Sequence, residues 1–358
     1  MVFAFALATS YLAPYTDPEV FIPIAFLGLL YPVLLLINLI FVFLWIFFLN
    51  IRFLMSLIII LIGWNNLQLL INFGFNQADD QKGISVLSYN VRTFNAYPWA
   101  GWGEDSRPKM LSLIKDESTD IVCLQEFHSI STEIDKKKWY NNISALSNEP
   151  YPYYHYNEVL TFRNVSHFGL ITFSKFPIIA KGTITFKNSK SNACIFTDVR
   201  AGTDTLRIYN VHLASIRLNN EELGVIDSII NLNKIKSETW VSFYNLLKTA
   251  FLKRSAQVKL LRENIDQCRY PFIVCGDFND NPFSYAYHHI SRDLKDAFFN
   301  SKAGFGITYN GKLPVRIDYM LYSQSIESNK FSVIKKDYSD HYPIKGIFSI
   351  NSIARDNN

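Results

Sequence analysis

Two hydrophobic regimes divide the chain. No charged residue occurs from Val20 to Ile51, and from Phe53 to Ala78 the charge-free run repeats, densest in FLMSLIIILIGW. Each run exceeds the roughly 20 residues that a helix needs to cross a hydrocarbon layer about 30 Å thick. The pattern predicts a transmembrane region over 1–73, with spans at about 21–50 and 53–73. Residues 1–13 are a candidate third span, because the first 16 residues are also uncharged. A buried soluble hairpin is the competing reading, and two runs of this length disfavour it. A cleavable signal peptide fits poorly: the basic N-terminal region is missing and the apolar content continues past any cleavage point.

GFNQADDQKG, at 74–83, reads as a polar, turn-rich linker. Beyond it the pattern changes to short apolar, β-rich runs that each meet a polar cluster: ISVLSYNV (84–91), DIVCLQE (120–126), FGLITFS (168–174), TLRIYNVHL (205–213), YPFIVCGDFND (270–280) and VRIDYMLYS (315–323). Buried strands of a sandwiched sheet read this way. Near the C-terminus, YSDHYPI sets Asp340 and His341 directly before what reads as an apolar edge strand. Helical periods fall between the runs. Ser106 and Pro108 can start a helix through MLSLIKDE. A longer helix is predicted over about 238–267, where Trp240, Phe243, Leu247, Phe251, Val258, Leu261 and Ile265 form one stripe. The fold class is α/β, in a polar domain over 84–350 that follows the apolar region.

Charge sharpens this division. Of 35 basic and 31 acidic side chains, residues 1–82 hold only Arg52, Lys82, Asp17, Glu19, Asp79 and Asp80, so the later part carries an excess of about six positive charges. That excess suits an anionic ligand or membrane surface without identifying nucleic acid. Arg52 is the one basic residue between the two predicted spans. The positive-inside bias therefore puts that connection in the cytoplasm and the polar domain on the other side, the periplasm of a bacterial inner membrane. Four cysteines show no CxxC spacing; Cys123 and Cys275 lie in apolar runs and read as small buried hydrophobes.

The polar residues at the run ends are Asn90, Glu126, Asn210, His212, Asp277, Asn279, Asp318, Asp340 and His341. Singly, each is an ordinary turn residue. Together they supply carboxylate, amide and imidazole groups, the inventory that phosphoester hydrolysis requires: a cation for the phosphoryl charge, a base for water and an acid for the leaving oxygen. Oxygen donors without a Cys/His cluster favour Mg²⁺ or Mn²⁺ over Zn²⁺.

The ordered set SYNV, LQE, NVHLAS, GDFND, RIDYM and SDHYP resembles the motif series of the endonuclease/exonuclease/phosphatase superfamily. That superfamily includes pancreatic-type deoxyribonucleases, apurinic endonucleases, neutral sphingomyelinases and inositol polyphosphate 5-phosphatases. The resemblance covers about Ile84 to Ser349 and none of the apolar region. It implies a four-layer α/β/β/α sandwich with the active site at one edge of the paired sheets. It implies that Glu126 binds the cation, with Asn90, Asp277 and Asp340 completing its surroundings. By the same resemblance His341 is the general base, Asp318 orients it, and Asp277 and Asn279 position nucleophile and phosphoryl oxygen. His212 matches the general-acid histidine of the deoxyribonuclease and sphingomyelinase branches, and Asn210 and Asn279 would contact substrate. Two departures count against abasic-site repair: Arg92 stands where apurinic endonucleases carry an acidic residue, and those enzymes use a tyrosine near the position of Asn210.

Further features carry two readings each. Arg254 interrupts the apolar stripe of the long helix, within an Arg-x-x-Gln pattern; it either snorkels or pairs with a structural carboxylate, or it braces the site. GFGITYNGK, at 304–312, is a surface loop or a substrate contact. The segment Ile216–Ser237 reads as a polar insertion. The expectation is a membrane-anchored Mg²⁺-dependent phosphodiesterase of nuclease type, for which YPYYHYNEVLTFR (151–163) could supply aromatic platforms. A sphingomyelinase-like lipid phosphodiesterase or a phosphatase is the alternative, favoured by tethering where head groups are concentrated. The alternative from another class is a non-catalytic membrane scaffold. The expected partners are a phosphodiester substrate and the lipid bilayer; no protein partner is inferable.

Overall fold

Pro32 at the start of one apolar helix and Gly63 at the end of another decide the shape of the N-terminal region. In the structure, a computed structural model, both predicted spans are broken at these places. The described residues are 1–74, 82–97, 106–130, 141–147, 150–187, 189, 191–216 and 237–350. Most of the predicted linker and of the 216–237 insertion falls outside them. Contacts divide the chain into two units, the first made of Met1–Ile71, Ala214–Arg262 and Asn279–Ile290, the second of the remaining segments.

In the first unit the apolar run forms α1 (Val2–Ser10), α2 (Ile22–Leu29), α3 (Tyr31–Phe47), α4 (Phe53–Ile62) and α5 (Trp64–Leu70). Among the described residues no single helix is long and apolar enough to cross a membrane; α2 with α3 and α4 with α5 pass that test only as bent pairs, at 59° and 72°. Pro32 sits in the first turn of α3, where its missing N–H is harmless but continuation from α2 is blocked. At Gly63 a Cβ would strike the ring of Tyr11, whose hydroxyl donates to the Ile59 carbonyl. The helices are pinned by Asn38, which is fully buried: its Nδ2 donates to the carbonyls of Phe3 and Leu34, and its Oδ1 accepts from Ser56. Many large apolar side chains of α3 and α4 nevertheless remain exposed, among them Leu36, Ile40, Phe43, Phe47, Ile58 and Leu61.

The same unit holds most of the long helix found where the stripe predicted it. Asp17 and Glu19 both pair with Lys259 on that helix, at 2.5 and 2.8 Å, and Phe26 stacks on its Tyr244. Phe283 packs into the core of the N-terminal helices, 4.1 Å from Tyr31 between ring centroids.

In the second unit two mixed six-stranded sheets face each other. The first is built from β1 (Ile84–Asn90), β2 (Ile121–Ile130), β3 (Tyr153–Phe162), β4 (Ser166–Ser174), and the C-terminal β11 (Ile326–Val333) and β12 (Ile344–Ile350), in the order β11-β12-β1-β2-β4-β3. The second contains β5 (Ile178–Thr185), β6 (Ala193–Ala201), β7 (Asp204–His212), β8 (Phe272–Asp277), β9 (Lys295–Asp296) and β10 (Asp318–Tyr322), in the order β5-β6-β7-β8-β10-β9. The strand after His341 is therefore not an edge: β12 lies between β11 and β1, because Ile326–Val333, not singled out in the sequence, pairs along its other side.

Alternation sorts the side chains. Val86, Ile121 and Cys123 of the first sheet meet Leu206, Ile208, Ile273 and Met320 of the second in a dry core. Their neighbours Leu87, Tyr89, Val122 and Leu124 face the other way and pack on Met110 and Ile114 of α6 (Ser106–Asp116) and Leu146 near the end of α7 (Asn142–Ser147). Cys123 and Cys275 are buried and free, as the apolar runs predict. The remaining helices are α8 (Ser237–Asp266), the predicted long helix, and the short α9 (Tyr285–Ser291).

Candidate active site

Strand pairing brings the chemistry to one end of both sheets. β7 and β8 run parallel with His212 opposite Asp277, and β10 runs antiparallel to β8 with Asp318 opposite the same Asp277. On the first sheet β1 and β2 run parallel with Asn90 opposite Gln125. A register shift in β2 between Leu124 and Phe127, with Glu126 at φ 49°, takes Glu126 out of the strict alternation. Bulges of this kind re-aim a side chain beside active sites. At Gly276 (φ 137°) a Cβ would lie 2.0 Å from the Val211 carbonyl, so only glycine lets β7 and β8 close up beside Asp277.

Within the second unit, Asn90, Glu126, His212, Asp277, Asp318, Asp340 and His341 form one connected cluster. Asn90 Nδ2 donates to Asp277 Oδ2 at 2.9 Å and reaches Glu126 Oε1 at 3.4 Å. His212 Nε2 lies 3.6 Å from Glu126 and 3.8 Å from Asp277. His341 Nδ1 is 2.9 Å from Asp318 Oδ2, while its Nε2 is 3.7 Å from Asp277 Oδ2. Asp340 meets the guanidinium of Arg92 at 3.2 Å. Two buried hydroxyls hold the frame. Ser339 Oγ donates to the Asn90 carbonyl and accepts from the His341 amide, and Thr308 Oγ1 accepts the amides of Ile317 and Asp318. Neither hydroxyl was singled out in the sequence, although both stand in motifs that were.

The electrostatics follow from crowding acids in a buried place. Burial, and then the neighbouring Asp340, raise the pKa of Glu126 against the opposing pull of His341, Asn90 and Arg92. Asp277 is pushed up by burial and by Asp318, although His341 and His212 oppose the change. For His341, burial favours the neutral ring, but Asp318, Asp277 and Asp340 together outweigh it and hold the imidazole at about 10. The arrangement is acidic and short of positive charge.

A hard divalent cation fits this arrangement. Carboxylate oxygens of Glu126 and Asp277 both meet the Asn90 side-chain nitrogen, and the charge of Asp340 is felt at Glu126. Asp277, Asp318 and His341 also offer ligand atoms within 4.8 Å of one another. The 2.9 Å Asp318–His341 contact has hydrogen-bond geometry, which suits that pair to an oriented base and leaves Glu126 and Asp277 as residues that could hold a cation. Asn90 Oδ1 accepts the amide of Arg92, which leaves its nitrogen, not its oxygen, toward the carboxylates.

Three further residues marked in the sequence are placed as follows. Asn210, expected at substrate, is fully buried between the sheets; its Nδ2 donates to the Ile171 and Leu124 carbonyls and its Oδ1 accepts from Gln125. The amide is used up in joining the sheets, an arrangement that a single strand's sequence does not disclose. Asn279 belongs to the first unit, in the turn that follows β8, with a left-handed φ of 53°. Arg254 neither snorkels nor faces solvent: it is 1% exposed, its Nε donates to Asp280 and its Nη1 to the Ala214 carbonyl. Gln257 accepts the Ala214 amide, so the Arg-x-x-Gln pair holds both polar groups of one peptide unit, two residues beyond His212 in the chain. Arg92, noted in the sequence only as a departure from apurinic endonucleases, and Tyr309, within the 304–312 loop, are further functional candidates; Tyr309 sets its ring 5.2 Å from that of His341, edge to face.

Comparison with known proteins agrees with this layout. Residues 87–341 match the Endonuclease/Exonuclease/phosphatase family, and residues 1–70 match a domain of unknown function (DUF8431). No curated protein matches the chain. Among solved structures, an endonuclease/exonuclease/phosphatase family protein from Leptotrichia buccalis is similar at a TM-score of 0.51 and 16% identity, over 75% of this chain and 100% of that one. The human Nocturnin catalytic domain with bound sulfate anion gives 0.51 and 19%, over 76% and 96%. A mannosyl-6-phosphatase from Bacteroides thetaiotaomicron gives 0.50 and 18%, over 75% and 100%. At these identities the likeness speaks to fold. The family match spans well over half of the sequence and contains the whole cluster from Asn90 to His341, and the chain belongs to the endonuclease/exonuclease/phosphatase family.

Proposed function

We propose that the chain is a divalent-metal-dependent phosphoester hydrolase, a phosphodiesterase tethered at a lipid bilayer by its N-terminal helices, with its catalytic domain built as a four-layer sandwich. The observation that carries the hydrolase reading is the Asp318–His341–Asp277 contact series beside Glu126 and His212. Asp318 accepts from Nδ1–H of His341; with a cation bound, the acids that hold the ring protonated are offset and Nε2 is free to take a proton from water. Asp277 orients the water, the GDFND motif assigns a phosphoryl oxygen to Asn279, and His212 protonates the leaving oxygen. Glu126, with Asp277, Asp340 and Asn90 around it, would hold Mg²⁺ or Mn²⁺, which when bound supplies charge neutralisation on the phosphoryl oxygens. These roles balance the reaction: one proton leaves the water and one joins the leaving group.

Two observations bear on the substrate class. The exposed tyrosines of β3, Tyr153 and Tyr154, pair through Ser174 and Phe173 with Ile121 and Val122, toward the start of β2 and away from Glu126. That position weakens their use as platforms for nucleic acid bases. The broad exposed apolar surface of α3 and α4 supports a bilayer tether and hence a phospholipid head group as substrate, with nucleic acid as the second reading. Arg52 between the helix pairs supports a placement in the bacterial inner membrane with the polar domain in the periplasm. A reporter that is active only in the cytoplasm, fused after Asn358, is expected to stay dark.

The decisive assay uses the full chain in detergent with Mg²⁺ against bis-(p-nitrophenyl) phosphate, plasmid DNA and sphingomyelin, beside a His341→Ala control. Metal-dependent turnover that the control lacks supports the reading, and the preferred substrate identifies the branch. No turnover on any of the three, or equal turnover in the control, removes it and leaves the scaffold.

A further inference from the structure

Immediately after Asn90 the backbone does something that L-residues avoid. Arg92, Thr93, Phe94 and Asn95 all have positive φ, at 44°, 54°, 56° and 53°, in a short left-handed turn without a glycine. Thr93, Phe94 and Asn95 are buried, Phe94 packs edge-on against Phe127, and Asn95 donates to the Tyr338 carbonyl. Packing therefore fixes the turn, and Arg92 is its one half-exposed member. Strain of this kind persists where surrounding structure enforces a particular side-chain position. Here that position is beside the carboxylate cluster, and the charge of Arg92 is felt at both Glu126 and Tyr309.

The way Arg92 meets Asp340 shows what is left over. Arg207 closes a two-point fork on one carboxylate, engaging Asp198 through Nε at 2.6 Å and through Nη2 at 2.8 Å, whereas Arg254 meets Asp280 through Nε and spends Nη1 on the Ala214 carbonyl. Arg92 touches Asp340 through Nε alone, at 3.2 Å, and among the described residues Asp340 is its one ion-pair partner. The outer end of the guanidinium, which carries the donors best suited to a phosphoryl group, is not part of that contact.

We propose that Arg92 is a substrate-binding residue, whose outer guanidinium nitrogens hold a non-bridging oxygen of the phosphoryl group while Asp340 steadies its Nε. This rests on the phosphoester-hydrolase reading and adds to it a protein cation that composition and motif left unassigned. The ligand chemistry is an inorganic phosphate or the phosphate of an ester.

The test compares the full-length protein in detergent with Arg92→Gly, Arg92→Gln and Arg92→Lys. Glycine removes the charge and accepts the left-handed backbone, so Arg92→Gly is expected to melt no lower than the parent. Two readouts follow: the rise in melting temperature on adding inorganic phosphate, and the inhibition constant of phosphate against bis-(p-nitrophenyl) phosphate hydrolysis with Mg²⁺. Losing a charge-assisted contact predicts inhibition by phosphate weakened about tenfold or more in the Gly and Gln variants, with KM rising in parallel and Lys recovering part of the loss. A parent protected by phosphate, with variants protected and inhibited equally well, overturns the inference and leaves the hydrolase reading intact. A parent that hydrolyses nothing removes that reading; the phosphate-induced melting shift then still decides, since its absence from the parent overturns the Arg92 assignment and its loss only in the variants upholds it.

Discussion

Replacing Arg254 by methionine separates a merely apolar stripe on α8 from one built around a buried cation. Arg254 is 1% exposed and Asp280 5% exposed, so the change strands a carboxylate where water does not reach it. Breaking one partner out of a buried pair costs about 3–5 kcal/mol. A second route to the magnitude agrees. A stranded Asp280 escapes its burial by taking a proton, and protonating a carboxyl of ordinary pKa 3.8 at neutral pH costs about 4 kcal/mol. The second route also predicts that the loss shrinks as the pH is lowered. For a chain of this size the expected drop in melting temperature is roughly 5–10 °C, followed by tryptophan fluorescence of the full chain in detergent. Adding Asp280→Leu should recover most of that loss, because an apolar pair of similar volume replaces a buried ion pair at little penalty. Activity should not recover with it. The Ala214 carbonyl has lost its donor and Asp280 no longer fixes the turn that carries Asn279, so kcat stays down by about 10-fold to 100-fold. A loss below about 1 kcal/mol in Arg254→Met, or a double variant no more stable than the single, would refute the reasoning.

Asp318→Asn leaves His341 without the acceptor that selects its tautomer; kcat should fall roughly 10²–10⁴-fold with KM little changed, measured on bis-(p-nitrophenyl) phosphate. Asn210→Ala orphans Gln125 and two carbonyls between the sheets; thermal unfolding should show a loss of about 2–4 kcal/mol while KM of the surviving protein holds, whereas a selective rise in KM would return Asn210 to the substrate. His155 is held neutral by burial and by nearby Lys181, down to about 4. Its unfolded form binds a proton more readily, so its contribution is complete above about pH 6.5 and is lost as the pH falls toward 4; the stability gap between parent and His155→Gln should narrow by about 3 kcal/mol across that window, and a constant gap would contradict it.

The polar run ends were legible because phosphoester chemistry demands particular side chains, and Asn90, Glu126, His212, Asp277, Asp318, Asp340 and His341 do gather in one unit. What their neighbours do was less legible. Asn210 lies two residues before His212, on the same face of β7, but one step deeper, where partners on β2 and β4 claim its amide while His212 ends the strand beside Glu126. Glu126 owes its position to a bulge, which leaves no mark in CLQEF. Strands β3, β5, β6 and β11 passed unremarked because they carry no chemistry at their ends. Hydropathy found the N-terminal helices but not their breaks: window averages do not register that Pro32 forbids an unbroken helix or that Gly63 admits the ring of Tyr11.

The order of the motifs contains topological information that only the structure makes readable. In β1, β2, β7 and β8 the functional residues stand at or near the C-terminal side of the run: Asn90 and His212 end their strands, Asp277 ends β8, and Glu126 sits at the point where β2 breaks register. In the last two motifs the direction reverses, with Asp318 opening β10 and His341 standing just before β12. If all these residues are to meet at one edge, the first four strands must run toward that edge and the last two away from it. The observed ladders obey this rule: β1 with β2 and β7 with β8 are parallel, while β10 against β8 and β12 against β1 are antiparallel. Convergence on one site therefore constrains strand direction as firmly as hydrophobic alternation constrains which face is buried, and the mixed character of both sheets follows from where the chemistry falls along each run.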